Sequence, residues 1–149
     1  MKNLFVFVFA LFALAGCNSK DVEPIHAGEA LAGTYSVTSF LFTRGDSTYH
    51  LPTLPYTVQG SQIITGKLEV TRLEAMNQVS LKLTLQEPGE PDAVFPIDNV
   101  EVRPDGDEYD LHVGSTQLAT ADGTTVDFDV TTRDSQTGES IVLKFEAKR

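Results

Sequence analysis

Residues 79–86 read Val-Ser-Leu-Lys-Leu-Thr-Leu-Gln, and their alternation decides the fold. Val79, Leu81, Leu83 and Leu85 fall on one face of an extended chain; Ser80, Lys82, Thr84 and Gln86 fall on the other. A period of two belongs to a strand with one dry face and one wet face, the habit of antiparallel sheets. The same pattern recurs on both sides. Tyr109, Leu111 and Val113 alternate with Asp110 and His112, and Val126, Phe128 and Val130 with Asp127, Asp129 and Thr131. Ile141, Leu143, Phe145 and Ala147 alternate with Val142, Lys144, Glu146 and Lys148. From Leu31 onward the chain is rich in Thr and Val, which suit a pleated surface, and no long stretch has a helical period. The pattern predicts eight strands, at 33–43, 62–74, 78–86, 93–102, 108–114, 116–121, 124–132 and 140–148.

Turn chemistry separates them. Met76-Asn77, Asp105-Gly106 and Asp122-Gly123 suit the positive φ of tight hairpins, and Thr137-Gly138 suits the last one. Pro88, Gly89 and Pro91 interrupt the chain before the fourth strand. In the second strand Leu68 and Val70 lie on one face and Leu73 on the other, which predicts a bulge. Short local connections favour an all-β, eight-stranded antiparallel up-and-down barrel. A two-sheet β-sandwich is the alternative.

The other features concern location. The chain has 149 residues, one domain's worth, with 21 acidic and 11 basic side chains and a net charge of −10. Such a surface repels phosphate backbones, so nucleic acid is excluded as a partner. The single Cys excludes an internal disulfide and a cysteine metal cluster. Lys2 precedes an unbroken apolar run from Leu4 to Ala15, shorter than the ~20 residues of a spanning helix. It has the form of an export signal. Its end, Leu14-Ala15-Gly16-Cys17, resembles the lipobox of bacterial lipoproteins at all four positions. The resemblance implies cleavage after residue 16 and acyl chains on Cys17, the lipid-attachment residue. Two or three chains anchor stably where one does not. It also implies a membrane partner and a cell-envelope location. Asn18, in place of the Asp that retains such proteins at the inner membrane, favours the outer membrane. Lys20-Asp21-Val22-Glu23 leaves the periplasmic or surface face undecided. Residues 17–30, polar with Pro24 and Gly28, read as a flexible tether, or alternatively as a first strand or a short helix plugging the body. Residues 31–149 form the domain.

Leu31-Ala32-Gly33-Thr34-Tyr35-Ser36-Val37 resembles the opening strand of lipocalin-like proteins, where Gly-x-Trp or Gly-x-Tyr enters the barrel bottom. In that family a basic residue of the last strand packs over the aromatic, here Lys148 or Arg149. The chain has no Trp and carries no second motif of the family. An eight-stranded barrel is wide enough to be filled by side chains or to hold one small apolar ligand, and the inward set here is bulky.

Nothing in the sequence assembles a catalytic centre. There is no nucleophile turn, phosphate loop or zinc-protease motif, and His26, His50 and His112 fall on separate segments. No enzymatic activity, cofactor or metal is expected. The acidic run Asp105–Asp110 invites a calcium reading, but Asp105-Gly106 already suits a turn, and Asp127 and Asp129 lie on a wet face. Residues 44–60 show no regular pattern and carry Tyr49, His50, Leu54 and Tyr56 between prolines. Long loops with exposed aromatics suit binding. These four, with the inward-facing Tyr109 and Phe128, are the candidate ligand-binding residues. The first functional reading is a lipid-anchored module that binds a small apolar ligand. The second is a non-catalytic module that presents loops to an envelope protein or glycan.

Overall fold

The computed structural model describes residues 27–149 except 59 and 61. A one-turn helix, α1 (Ala27–Leu31), leads into ten strands: β1 (Gly33–Arg44), β2 (Ser47–Leu51), β3 (Tyr56–Val58), β4 (Gln62–Arg72), β5 (Gln78–Gln86), β6 (Ala93–Asp105), β7 (Glu108–Val113), β8 (Thr116–Ala121), β9 (Thr125–Arg133) and β10 (Ser140–Lys148). Neighbours from β4 to β10 pair antiparallel in chain order, and β1 pairs with both β10 and β4. The result is a closed eight-stranded antiparallel barrel of β1 and β4 to β10, with β2 and β3 added. Closure at the β1–β4 seam, from Gly33↔Val70 to Ser36↔Lys67, decides between barrel and sandwich. At this seam Gly66 is needed for space, since a Cβ there would lie 2.7 Å from the Cβ of Val37.

The eight expected strands are the eight of the barrel. The segment 44–60 departs from expectation. Gly45, at φ 55°, turns the chain so that β2 runs back along Phe40–Arg44 of β1. After residues 52–55, β3 pairs with the start of β4. Both strands are short and proline-flanked, so neither repeats its pattern long enough to be read. The second expected strand ends at Arg72, which leaves Leu73 outside it and gives no bulge there. The extra residues fall elsewhere: Thr38 in β1, Asp98-Asn99 in β6 and Leu118 in β8. Asn77 does not adopt the positive φ expected at that turn; among the described non-glycine residues Asn99, in the β6 irregularity, does (56°). The leader and most of the tether, including Cys17, lie outside the described residues. Residues 27–30 of that expected tether form α1, with Ala27 and Leu31 buried.

The interior is not uniform along the barrel axis. The end that α1 covers is solid: Leu31, Tyr35, Leu68, Leu81, Val100, Leu111 and Val126 are all at most 1% exposed. Burying each of the leucines contributes about 1.5–3 kcal/mol. The Tyr35 hydroxyl donates to the Leu31 carbonyl at 2.8 Å. The basic side chain over its ring is Arg149, 4.7 Å from the ring centroid, and it donates to the Leu31 and Ala32 carbonyls. Toward the other end the inward residues Phe42, Phe95, Ile97, Val130 and Leu143 are only partly buried.

Candidate ligand site at the barrel mouth

The barrel wall has unequal height. β7 and β8 are short, and the β8–β9 ladder has only the pairs Ala119↔Phe128, Thr120↔Asp127 and Ala121↔Val126. β6 pairs with β7 only through Glu101–Asp105. Above that low side, inward side chains of six strands surround an open chamber of about 290 Å³. Phe42 comes from β1, Ile97 from β6, Val113 from β7 and Leu118 from β8. Phe128, Val130 and Thr132 come from β9, and Ile141 and Leu143 from β10. Thr132 supplies the single hydroxyl in an otherwise apolar lining. The floor is set by Phe128, stacked on Phe145 at 4.7 Å with ring planes 9° apart. The volume lies just below the range of small-molecule sites, about 300–1,000 Å³.

A second hollow of about 200 Å³ adjoins it behind Phe42, between Phe40, Leu85, Ala93 and Phe95. Tyr49 roofs this hollow. Its ring meets Phe40 edge-on at 6.1 Å, and its hydroxyl donates to the Glu87 carboxylate beyond the end of β5. Burial, then the hydrogen bond to Glu87 and that carboxylate's charge, push the Tyr49 phenol up to about 12. The rim between β1 and the β9–β10 turn is held by Arg44, whose guanidinium meets Asp134 at 2.9 Å and Glu139 at 3.2 Å.

The candidate residues are thus divided. Phe128 lines the main chamber and Tyr49 roofs the second hollow. His50 faces outward beside Leu41 and Lys144 over β1 and β10. Leu54 is buried as core at 8% exposure, its amide bonded to the Thr38 carbonyl. Tyr56 is exposed on β3, and Tyr109 packs on the core at the closed end of β7, opposite Ala121. These four line neither hollow, so residues 44–60 supply one roof residue and some core rather than a complete lid. Apart from Phe128, none of the residues lining the main chamber was a candidate: Phe42, Ile97, Val113, Leu118, Val130, Thr132, Ile141 and Leu143 were all missed. For Phe42 and Val130 the alternation would have sufficed. Leu118 and Ile97 are displaced in phase by bulges.

The remaining polar groups are accounted for locally. Gly106, at φ 63°, turns the β6–β7 hairpin beside Asp105. Asp129 meets Lys144 at 2.7 Å. Among the described residues, no three acidic, histidine or cysteine side chains gather as a metal site requires. No protein-family model matches the chain, and no curated protein is significantly similar to it.

Proposed function

We propose that this chain is a lipid-anchored envelope lipoprotein whose lipocalin-like barrel binds a small apolar ligand at its mouth, without catalysis. The observation that carries the binding reading is the chamber, which stays open and apolar in a barrel whose other end is solid. Desolvated apolar surface favours hydrophobic ligands. The Gly33-x-Tyr35 strand with Arg149 laid over the ring supports the lipocalin-like reading. The lipobox at Cys17 supports the anchor. Cys17 is ten residues before α1, a reach of at most about 33–36 Å, and α1 sits on the solid end.

Native mass spectrometry of the full chain, with displacement of a fluorescent fatty-acid probe, tests the ligand. A bound adduct and saturable displacement are expected; a clean apo mass with no displacement refutes it. Intact mass of the membrane-extracted protein tests the anchor. Cys17→Ala should leave an unmodified precursor.

A second reading, a module that presents its surface to an envelope protein or glycan, is favoured by Tyr56 and Ile63, 40% and 51% exposed on the β3–β4 ribbon. Removing the whole segment would take the buried Leu51 and Leu54 with it, so Tyr56→Ser with Ile63→Ser is the cleaner probe. Loss of a pulled-down partner with probe binding intact would favour this reading.

A further inference from the structure

The two hollows at the mouth share the Phe42 side chain as a common wall, yet they differ in chemistry. Apart from the Thr132 hydroxyl the main chamber is apolar. The second hollow has four aromatic rings, Phe40, Phe42, Tyr49 and Phe95, and one charged group, the Glu87 carboxylate. The Phe40 ring centroid lies 6.1 Å from that of Tyr49 and 6.5 Å from that of Phe95. Glu87 is half-buried beside these rings. The Tyr49 hydroxyl donates to it, but a neutral phenol leaves the negative charge in place. Among the described residues Glu87 forms no ion pair. A carboxylate drawn partly out of water is stabilised by a cation.

The rest of the rim has the same sign. The register Thr65↔Gln86 puts residues 87–92 at the mouth, and Arg133↔Ser140 puts residues 134–139 there. These two loops carry Glu87, Glu90, Asp92, Asp134 and Glu139, and neither has a Lys or Arg. The rim cation Arg44 is engaged by Asp134 and Glu139. Val130 and Thr132 face the chamber, so the alternation of β9 turns Arg133 outward. A ligand with an anionic head would therefore meet like charge at the mouth. An ammonium head would meet Glu87 and the electron-rich rings around it. Aromatic rings attract cations, and a cleft lined by one sign of charge concentrates the opposite sign.

We infer that the second hollow receives an alkylammonium head, so that the ligand of this barrel is a hydrophobic amine or quaternary ammonium whose apolar body lies in the main chamber. The inference rests on the small-ligand reading and narrows it from apolar molecules in general to cationic amphiphiles.

The test is competition on the full chain against an uncharged fluorescent probe, N-phenyl-1-naphthylamine, at physiological salt. The competitors are decyltrimethylammonium, decanol and decanoate, which share one alkyl chain, each below its micelle concentration. Decyltrimethylammonium should displace the probe at roughly tenfold lower concentration than decanol, and decanoate should be the weakest of the three. Glu87→Gln removes the charge and keeps an amide oxygen for the Tyr49 hydroxyl. It should abolish most of the ammonium advantage and leave decanol unchanged. Phe95→Leu should also weaken the ammonium more than the alcohol, and it decides in place of Glu87→Gln if that variant does not fold. The two failures are distinguishable. If neither the probe nor decanol binds, the small-ligand reading falls and this inference falls with it. If decanol displaces the probe but decyltrimethylammonium does no better, or if its advantage survives in Glu87→Gln, the barrel binds apolar ligands and the inference alone is overturned.

Discussion

Arg149 shows how one side chain can hold an end of a barrel. It covers the Tyr35 ring and spans the carbonyls of Leu31 and Ala32, so it joins β1 to the end of α1. Space for it depends on Gly33, where a Cβ would come within 2.8 Å of the guanidinium. Arg149→Ala removes a cation–π contact and two charge-assisted hydrogen bonds, and should cost about 1–3 kcal/mol in denaturant unfolding. Gly33→Ala should act the same way by displacing the guanidinium, and in the Arg149→Ala background should add less than it does alone. Burial raises the Tyr35 phenol above its ordinary 10.0, with Arg149 opposing the rise. A raised phenol pKa holds the proton in the folded state. Its contribution is therefore complete below pH 10 and is lost as pH climbs through the raised value. Ultraviolet titration of the folded chain should show the Tyr35 and Tyr49 phenols ionising above pH 10.0, and Tyr35→Phe should remove one of these two late steps. This residue-scale design was legible in the sequence as Gly33-x-Tyr35, with the basic partner narrowed to Lys148 or Arg149. The roof contact between Tyr49 and Glu87 was not, because it joins segments whose approach depends on the whole barrel.

Among the elements, the hairpins show why most of the fold could be read. Where a strand is half-buried over several residues, alternation fixes its face and its neighbours fix its register. The β8–β9 turn adds local chemistry. The Asp122 carboxylate accepts from the Thr125 amide at 2.6 Å, and from the Thr124 amide at 2.7 Å and hydroxyl at 2.8 Å. These bonds hold its pKa below the ordinary 3.8. A depressed carboxyl pKa means that the folded state favours the ionised form. The stabilisation is present above pH 3.8 and lost as pH falls through the lower folded value. Asp122→Asn should lower the melting temperature at neutral pH and flatten its fall in acid, as melts at stepped pH would show. The elements that escaped reading lacked periodicity. β2 and β3 are too short and too polar, and α1, read only as an alternative to the tether, is a single turn whose helical state rests on docking Ala27 and Leu31 rather than on propensity.

At the scale of the whole molecule, the barrel divides into a solid half and an open one. Its solid half was legible, since the inward set of Tyr35, Leu68, Leu81 and Leu111 follows from alternation alone. The open half was not, because a chamber depends on wall height, and wall height depends on where bulges end each ladder. Protection should follow the same division. Amides of β4 and β5 near Leu68 and Leu81 should exchange slowest, and those of β2, β3 and the β9–β10 turn fastest. The open half also permits a test that separates binding from stability. Val130 and Leu143 face the chamber and are only partly buried, so a larger side chain at either can grow into empty space rather than into packed neighbours. Val130→Trp should intrude into the ~290 Å³ chamber and weaken displacement of a fatty-acid probe, with the melting temperature held or raised. The same enlargement at Leu81, in the solid half, has no such space and should destabilise by about 1–3 kcal/mol through overpacking. If Val130→Trp instead melts early while probe binding survives, the hollow at the mouth is neither free volume nor the place where an apolar ligand sits.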